Sequence, residues 1–125
     1  MAVTHPTTVR DGICNYVVDL IDADVGAGTL EFQTAGSVEV ATLTFSDPAF
    51  GSSSSGTATA SAITADSNAT GGTITKAVAK DNSGDTVFTC SVTNTGGGGD
   101  IQMNSTVVSA GQEVSCSSLT YTAPS

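Results

Sequence analysis

The chain has 125 residues and carries three Lys or Arg against twelve Asp or Glu, for a net charge of −9. Three dispersed cations cannot neutralise a phosphate backbone, which excludes a nucleic-acid partner, and no apolar run approaches the roughly 18 residues of a membrane-spanning helix. A chain of this length forms one domain and buries about two thirds of its unfolded surface, so it folds without disulfides or metal.

Ser, Thr and Gly together make up 50 residues, yet 38% of the chain is hydrophobic. Disordered segments pair low hydrophobicity with dense charge, and β-branched Thr sits well on a pleated surface. The composition therefore predicts many short strands rather than a linker. The start, through Val3, Thr4, His5 and Pro6, lacks the basic and apolar stretches of a signal peptide. Residues 1–6 read as an extended arm.

Residues 7–25 read as a helix. Val9, Ile13, Tyr16, Val17, Leu20 and Ile21 fall at helical spacing and predict the buried stripe. Thr8 to Asp11 has capping-box form, with Thr8 as N-cap. The Asp19, Asp22 and Asp24 group reads as a solvated helix end, because a calcium site takes six or more oxygens in a shaped loop. Such a helix must bury its stripe against a sheet of its own chain or against another subunit.

From residue 28 to 125 the period becomes two. Leu30 and Phe32 open a first strand, and Val38 to Phe45 forms a second whose register shifts between Val40 and Ala41. Asp47-Pro48 ends it. A third strand is predicted over Thr57–Thr64, with Ala58, Ala60 and Ala62 on one face. A fourth is predicted over Thr73–Lys80, its lysines Lys76 and Lys80 marking a strand edge. Asp81-Asn82-Ser83-Gly84-Asp85 predicts a hairpin into Thr86–Val92, with Phe88, Cys90 and Val92 inward. Gly96 to Gly99 reads as a mobile loop. Ile101–Val108 and Glu113–Thr122 complete seven strands, or eight if either long segment splits. The pattern predicts an antiparallel β-sandwich or jelly roll with one N-terminal amphipathic helix.

Chemistry-bearing residues are sparse. Cys14, Cys90 and Cys116 lack zinc spacing and read as small buried hydrophobes, although Cys90 and Cys116 would meet if their strands were neighbours. His5, the single imidazole, sits in the arm, where it makes a poor general base. No two carboxylates stand out as a glycosidase pair, and the glycine clusters precede no helix that would cradle phosphate. Asn68-Ala69-Thr70 and Asn104-Ser105-Thr106 match the glycosylation pattern only as chance matches. Neither catalysis, nor a cofactor, nor a metal is expected.

The segments Val17-Val18-Asp19-Leu20, Ala41 to Gly51 (ATLTFSDPAFG), Thr57 to Asp66 and Tyr121-Thr122-Ala123-Pro124 resemble small virion proteins of tailed bacteriophages, and the likeness spans nearly the whole chain. Such proteins are similar to capsid decoration, or cement, subunits. The resemblance implies a structural protein on the outer capsid surface that binds the major capsid protein and neighbouring copies of itself, as a homotrimer. It carries over no catalytic residue. Val3, Thr4, His5, Arg10 and Phe50 are the expected partner-interface residues, and the acidic surface suits the outside of a DNA-filled shell. A tail or fibre component is the first alternative. A carbohydrate-binding β-sandwich is the second, although it needs aromatic platforms.

Overall fold

The computed structural model describes residues 3–23, 26–103, 105–116 and 119–123. Expectations that fell on Met1, Ala2, Asp24, Val25, Asn104 or Pro124 lie outside the described residues.

Helix α1 spans Thr7–Asp19 and tightens into a 3-10 turn over Leu20–Asp22. The expected capping box does not form. Extended Pro6 takes the N-cap position, which has no side-chain cap, and its carbonyl accepts the N–H groups of Val9 and Arg10. Asp11 turns away from the helix end to accept the Gly56 N–H at 2.7 Å. The buried stripe also differs from the expected one. Cys14, Val18 and Ile21 are buried, whereas Val9, Tyr16 and Leu20 are exposed.

Among the described residues nine strands follow: β1 (Thr29–Gln33), β2 (Glu39–Thr44), β3 (Thr57–Thr59), β4 (Gly72–Thr73), β5 (Lys76–Lys80), β6 (Thr86–Asn94), β7 (Ile101–Met103), β8 (Val107–Val108) and β9 (Thr120–Thr122). A curled five-stranded sheet has the order β2-β1-β5-β6-β7. In β1 and β2, Phe32 faces Ala41 while Gln33 faces Glu39. Val40 is thus an extra residue, and the bulge lets both Val40 and Ala41 point into the core.

The central strand is β5, and this corrects the expectation that Lys76 and Lys80 mark an edge. Ala77 sits between Phe32 and Cys90 across its two neighbours, and Ala79 sits between Leu30 and Phe88. Small residues flanked by large ones fill the face without strain. The lysines cap the two ends of β5. Lys80 Nζ pairs with Glu31 at 3.1 Å, and Lys76 Nζ donates to Ser37 Oγ at 2.6 Å.

The sheet departs from purely antiparallel pairing at β7, which runs parallel to β6. The return takes only residues 95–100, far shorter than an ordinary parallel crossover. Glycines make it feasible, and the predicted mobile loop is a packed return. A Cβ on Gly97 or Gly99 would lie 2.7 or 2.9 Å from the Thr93 side chain, and the Gly99 N–H donates to Thr93 Oγ1.

The predicted long strands over 57–64, 73–80, 101–108 and 113–122 are each interrupted. Pieces of each, β3, β4, β8 and β9, nevertheless join in one long irregular ribbon, while β5 and β7 belong to the five-stranded sheet. Residues 57–74 run antiparallel to residues 106–116 and 119–122, linked successively by β3–β9 pairing, the Asp66–Val114 bridge, Ala69 N–H to Gln112 C=O, β4–β8 pairing and Ile74 N–H to Thr106 C=O. Ala58 is buried in it, but Ala62 is exposed rather than on a shared inner face. The ribbon also covers the outer edge of β2. Thr44 and Thr64 exchange main-chain bonds, and Val40 C=O accepts from Thr70 and Gly71.

Candidate functional site

Helix α1 docks on its own chain, against β3 and β9, and polar groups set its pose. Beside the Asp11–Gly56 bond, Asn15 Oδ1 accepts the Ser53 N–H at 3.0 Å and Asp22 accepts the Ala49 N–H at 3.0 Å. Three side chains on one helix side therefore fix the loop between β2 and β3. Cys14 Sγ reaches Tyr121 C=O at 3.5 Å. Burial raises the Asp22 carboxyl above its usual value; the Ala49 bond opposes this, while Asp47 and Asp19 add to it.

This pose leaves an apolar helix face bare. Tyr16 is 68% exposed, Val9 43% and Leu20 37%, with half-buried Ile13 between them; on the arm, Val3 is 76% exposed. At about 3.6 residues per turn these helix positions share one face, roughly 130° around from the Cys14–Val18–Ile21 face. The sequence pattern merged two stripes into one. The i, i+4, i+7 spacing of Cys14, Val18 and Ile21 was the available signal that the helix has a second, independent apolar side.

The expected interface residues do not converge. Val3 and Thr4 are exposed on the arm and His5 is half-buried. Arg10 is half-buried and flat against Gly56, where a Cβ would come within 2.8 Å of the guanidinium carbon; its Nη2 donates to Ala123 C=O at 3.3 Å and its Nε is buried without a partner. Phe50 is 6% exposed, with its ring 5.8 Å from that of Phe45 in the core. Arg10 and Phe50 thus hold the fold rather than present a free surface.

A second surface, which sequence reasoning missed, is a cleft of about 380 Å³ between β7 and residues 112–116. Its walls are strand edges. Thr95 N–H donates to Met103 C=O, while Val92 N–H donates across to Thr75 on the β5 side. Main-chain groups alternate sides along a strand, so those of Gln102 point away from β6 and into the cleft. On the facing wall Val114 exchanges both bonds with Asp66, which turns the main-chain groups of Glu113 and Ser115 toward the same cleft. Among the described residues, none of these outward groups takes a main-chain hydrogen bond. Ile101, Val108, Val114 and Cys116 are buried around its floor.

A smaller cleft beside it lies over Phe88, Cys90, Asp100 and Tyr121, with the Phe88 and Tyr121 rings 5.3 Å apart. Burial pushes the Cys90 thiol up to about 12, helped by the Asp100 carboxylate and by Cys116. None of the three cysteines is in a disulfide; Cys14 and Cys116 are buried and Cys90 is half-buried. Among the described residues no three His, Cys, Asp or Glu side chains are grouped so as to hold a metal ion, and no helix is long and apolar enough to cross a membrane.

No family model, no curated protein and no solved structure matches the chain.

Proposed function

We infer that the protein is a structural virion subunit of the capsid decoration type, which binds the outer surface of a phage head and stabilises it. The observation that carries this reading is the exposure of Val9, Tyr16 and Leu20 on one face of a helix already docked on its own domain. Exposed apolar surface of this kind marks a protein-binding site when it is contiguous, and Tyr is favoured at such contacts because it joins a large apolar body to a polar tip. The motif resemblance supplies the partner, a major capsid protein, and the arrangement of copies as a homotrimer.

Binding that favours the assembled lattice stabilises it by mass action, and linked copies hold on while any one lets go. The acidic chain suits a surface separated from packaged DNA by the shell. The curled sheet and the long ribbon are read as the two halves of a jelly-roll-like sandwich. Support comes from core residues on both, among them Leu30, Phe32, Val108 and Leu119, which form one cluster.

The test is the location and copy number of the protein on the particle, with cosedimentation of wild-type and Tyr16→Asp proteins with emptied heads. Hundreds of copies per head, with binding reduced at least tenfold by Tyr16→Asp at an unchanged melting temperature, is the expected result. A handful of copies at one vertex assigns the protein to the tail instead.

A further inference from the structure

The cleft between β7 and residues 112–116 has the form of a missing strand. Two edges face one another across it, each with main-chain donors and acceptors turned inward: Gln102 on one side, Glu113 and Ser115 on the other. Unpaired edges of this kind are templates for strand addition. The shorter wall, β7, has three residues, so an extended guest of three or four residues, about 10–13 Å long, fills it. Ile101, Val108, Val114 and Cys116 lie buried around the floor, the exposed lining is more polar than apolar, and Glu113 is the single charged residue on the walls.

We propose that this cleft receives the arm segment Val3–His5 of a second copy as an added strand, joining copies to one another. The match is in length and in extended form. Pro6 is extended, and Val3, at 76% exposed, has no apolar cover in its own chain. In an added strand Val3 faces the floor of Val108 and Val114. The arm holds one His and no acid, and the cleft holds one acid and no cation.

The arm's own cleft lies well along the ribbon from the start of α1. Helix α1 starts beside Gly56 and Ala123, and the cleft wall at Val114 pairs with Asp66, nine or ten residues along the ribbon. That is roughly 30 Å of extended chain, against about 13 Å for the arm. Exchange between copies is either reciprocal, which gives a two-fold pair, or head to tail, in which a rotation that closes produces a ring. The inference deepens the self-association in the proposed function and is independent of the phage lattice.

The test is light scattering on the full chain, on a variant lacking residues 2–5, and on Glu113→Lys. The full chain is expected at a multiple of 12.3 kDa, and each variant at the mass of one copy with its melting temperature unchanged. Mixed together they re-associate as one-to-one pairs, because the truncated copy keeps the cleft and the Glu113→Lys copy keeps the arm. In the oligomer the amides of Gln102, Glu113 and Ser115 exchange with deuterium at least tenfold more slowly than in the monomeric variants. A monomeric full chain, a truncated variant that stays oligomeric, or a mixture that fails to pair overturns the exchange. A full chain that is monomeric in solution, with these amides protected only on heads, assigns the cleft to a lattice-protein strand instead. Failure of head binding with intact exchange overturns only the proposed function.

Discussion

The pose of α1, and so the exposure of its second apolar face, depends on Asp11. Its carboxylate accepts the N–H of Gly56, a buried residue, at 2.7 Å. Truncation in Asp11→Ala leaves that N–H with neither protein nor bulk water. A hydrogen bond to a charged group contributes about 1.5–3 kcal/mol net, and an orphaned buried donor costs a similar amount. A loss of about 2 kcal/mol corresponds, at about 4 °C per kcal/mol for a chain of this size, to a melting temperature about 8 °C lower. Asp11→Asn keeps an acceptor oxygen in place without the charge, and its loss should be about half as large. Urea and thermal unfolding of the two variants and wild type measure this directly. An Asp11→Ala protein that melts within 1 °C of wild type, or an Asn variant as unstable as the Ala variant, refutes the account of helix docking given above.

Gly28 lies between the 3-10 turn and the end of β5, where a Cβ would overlap Lys80 C=O and sit 2.5 Å from Ile21 Cγ2. Gly28→Ala should destabilise by about 1–3 kcal/mol through overpacking, whereas Gly12→Ala, in the middle of α1 with nothing near the added methyl, should stabilise by about 0.5–1 kcal/mol; chemical denaturation midpoints that fail to separate the two would contradict the packing described. Because the folded-state pKa of Asp22 is raised, the stability linked to it is complete below the ordinary value of 3.8 and is lost as pH rises through the folded value. Asp22→Asn keeps an acceptor for Ala49, so it should melt at or above wild type at pH 7, with the gap closing toward pH 3.8; a gap that widens in acid sinks the idea. Cys90 follows the same sign at the alkaline end. Its protonated form is favoured in the fold, so stability should fall as pH rises from 9 toward 12, and Cys90→Ala should flatten that slope in pH-dependent melts.

Much of the β region was legible because alternation is local. The Val38–Phe45 strand with its shift at Val40, the Asp81–Asp85 hairpin and the inward Val92 all follow from residues adjacent in the chain. Asp81 shows why the hairpin signal is strong. Its carboxylate accepts from both Ser83 and Asp85, and its main chain pairs with Asp85, all within five residues. The errors concern contacts made far along the chain. Lys76 and Lys80 suggested an edge because each alone looks solvated, yet Ser37 and Glu31, 39 and 49 residues away, receive them. Thr8 and Asp11 matched a capping box, but Gly56 competes for Asp11 from 45 residues away. The helix stripe failed for a further reason. Hydrophobic periodicity shows which side chains are apolar, not which apolar side meets the domain, and α1 carries two.

The cleft was illegible for a different reason again. Nothing in the composition of Ile101–Met103 or Gln112–Cys116 distinguishes a paired strand edge from an unpaired one, because the signal is carried by main-chain groups that every residue has. It becomes visible only when the alternation of bonds is followed outward from β6 to β7 and from residue 66 to residue 114. The two exposed features then fit together. The helix face is apolar side chain and suits a broad contact with a foreign surface, while the cleft is main chain and suits a narrow contact with an extended segment. A decoration subunit of the proposed kind would need two contacts that do not compete, one for a lattice and one for its own copies. Here they differ in kind and in place, so one can be abolished by Tyr16→Asp and the other by Glu113→Lys without disturbing its counterpart.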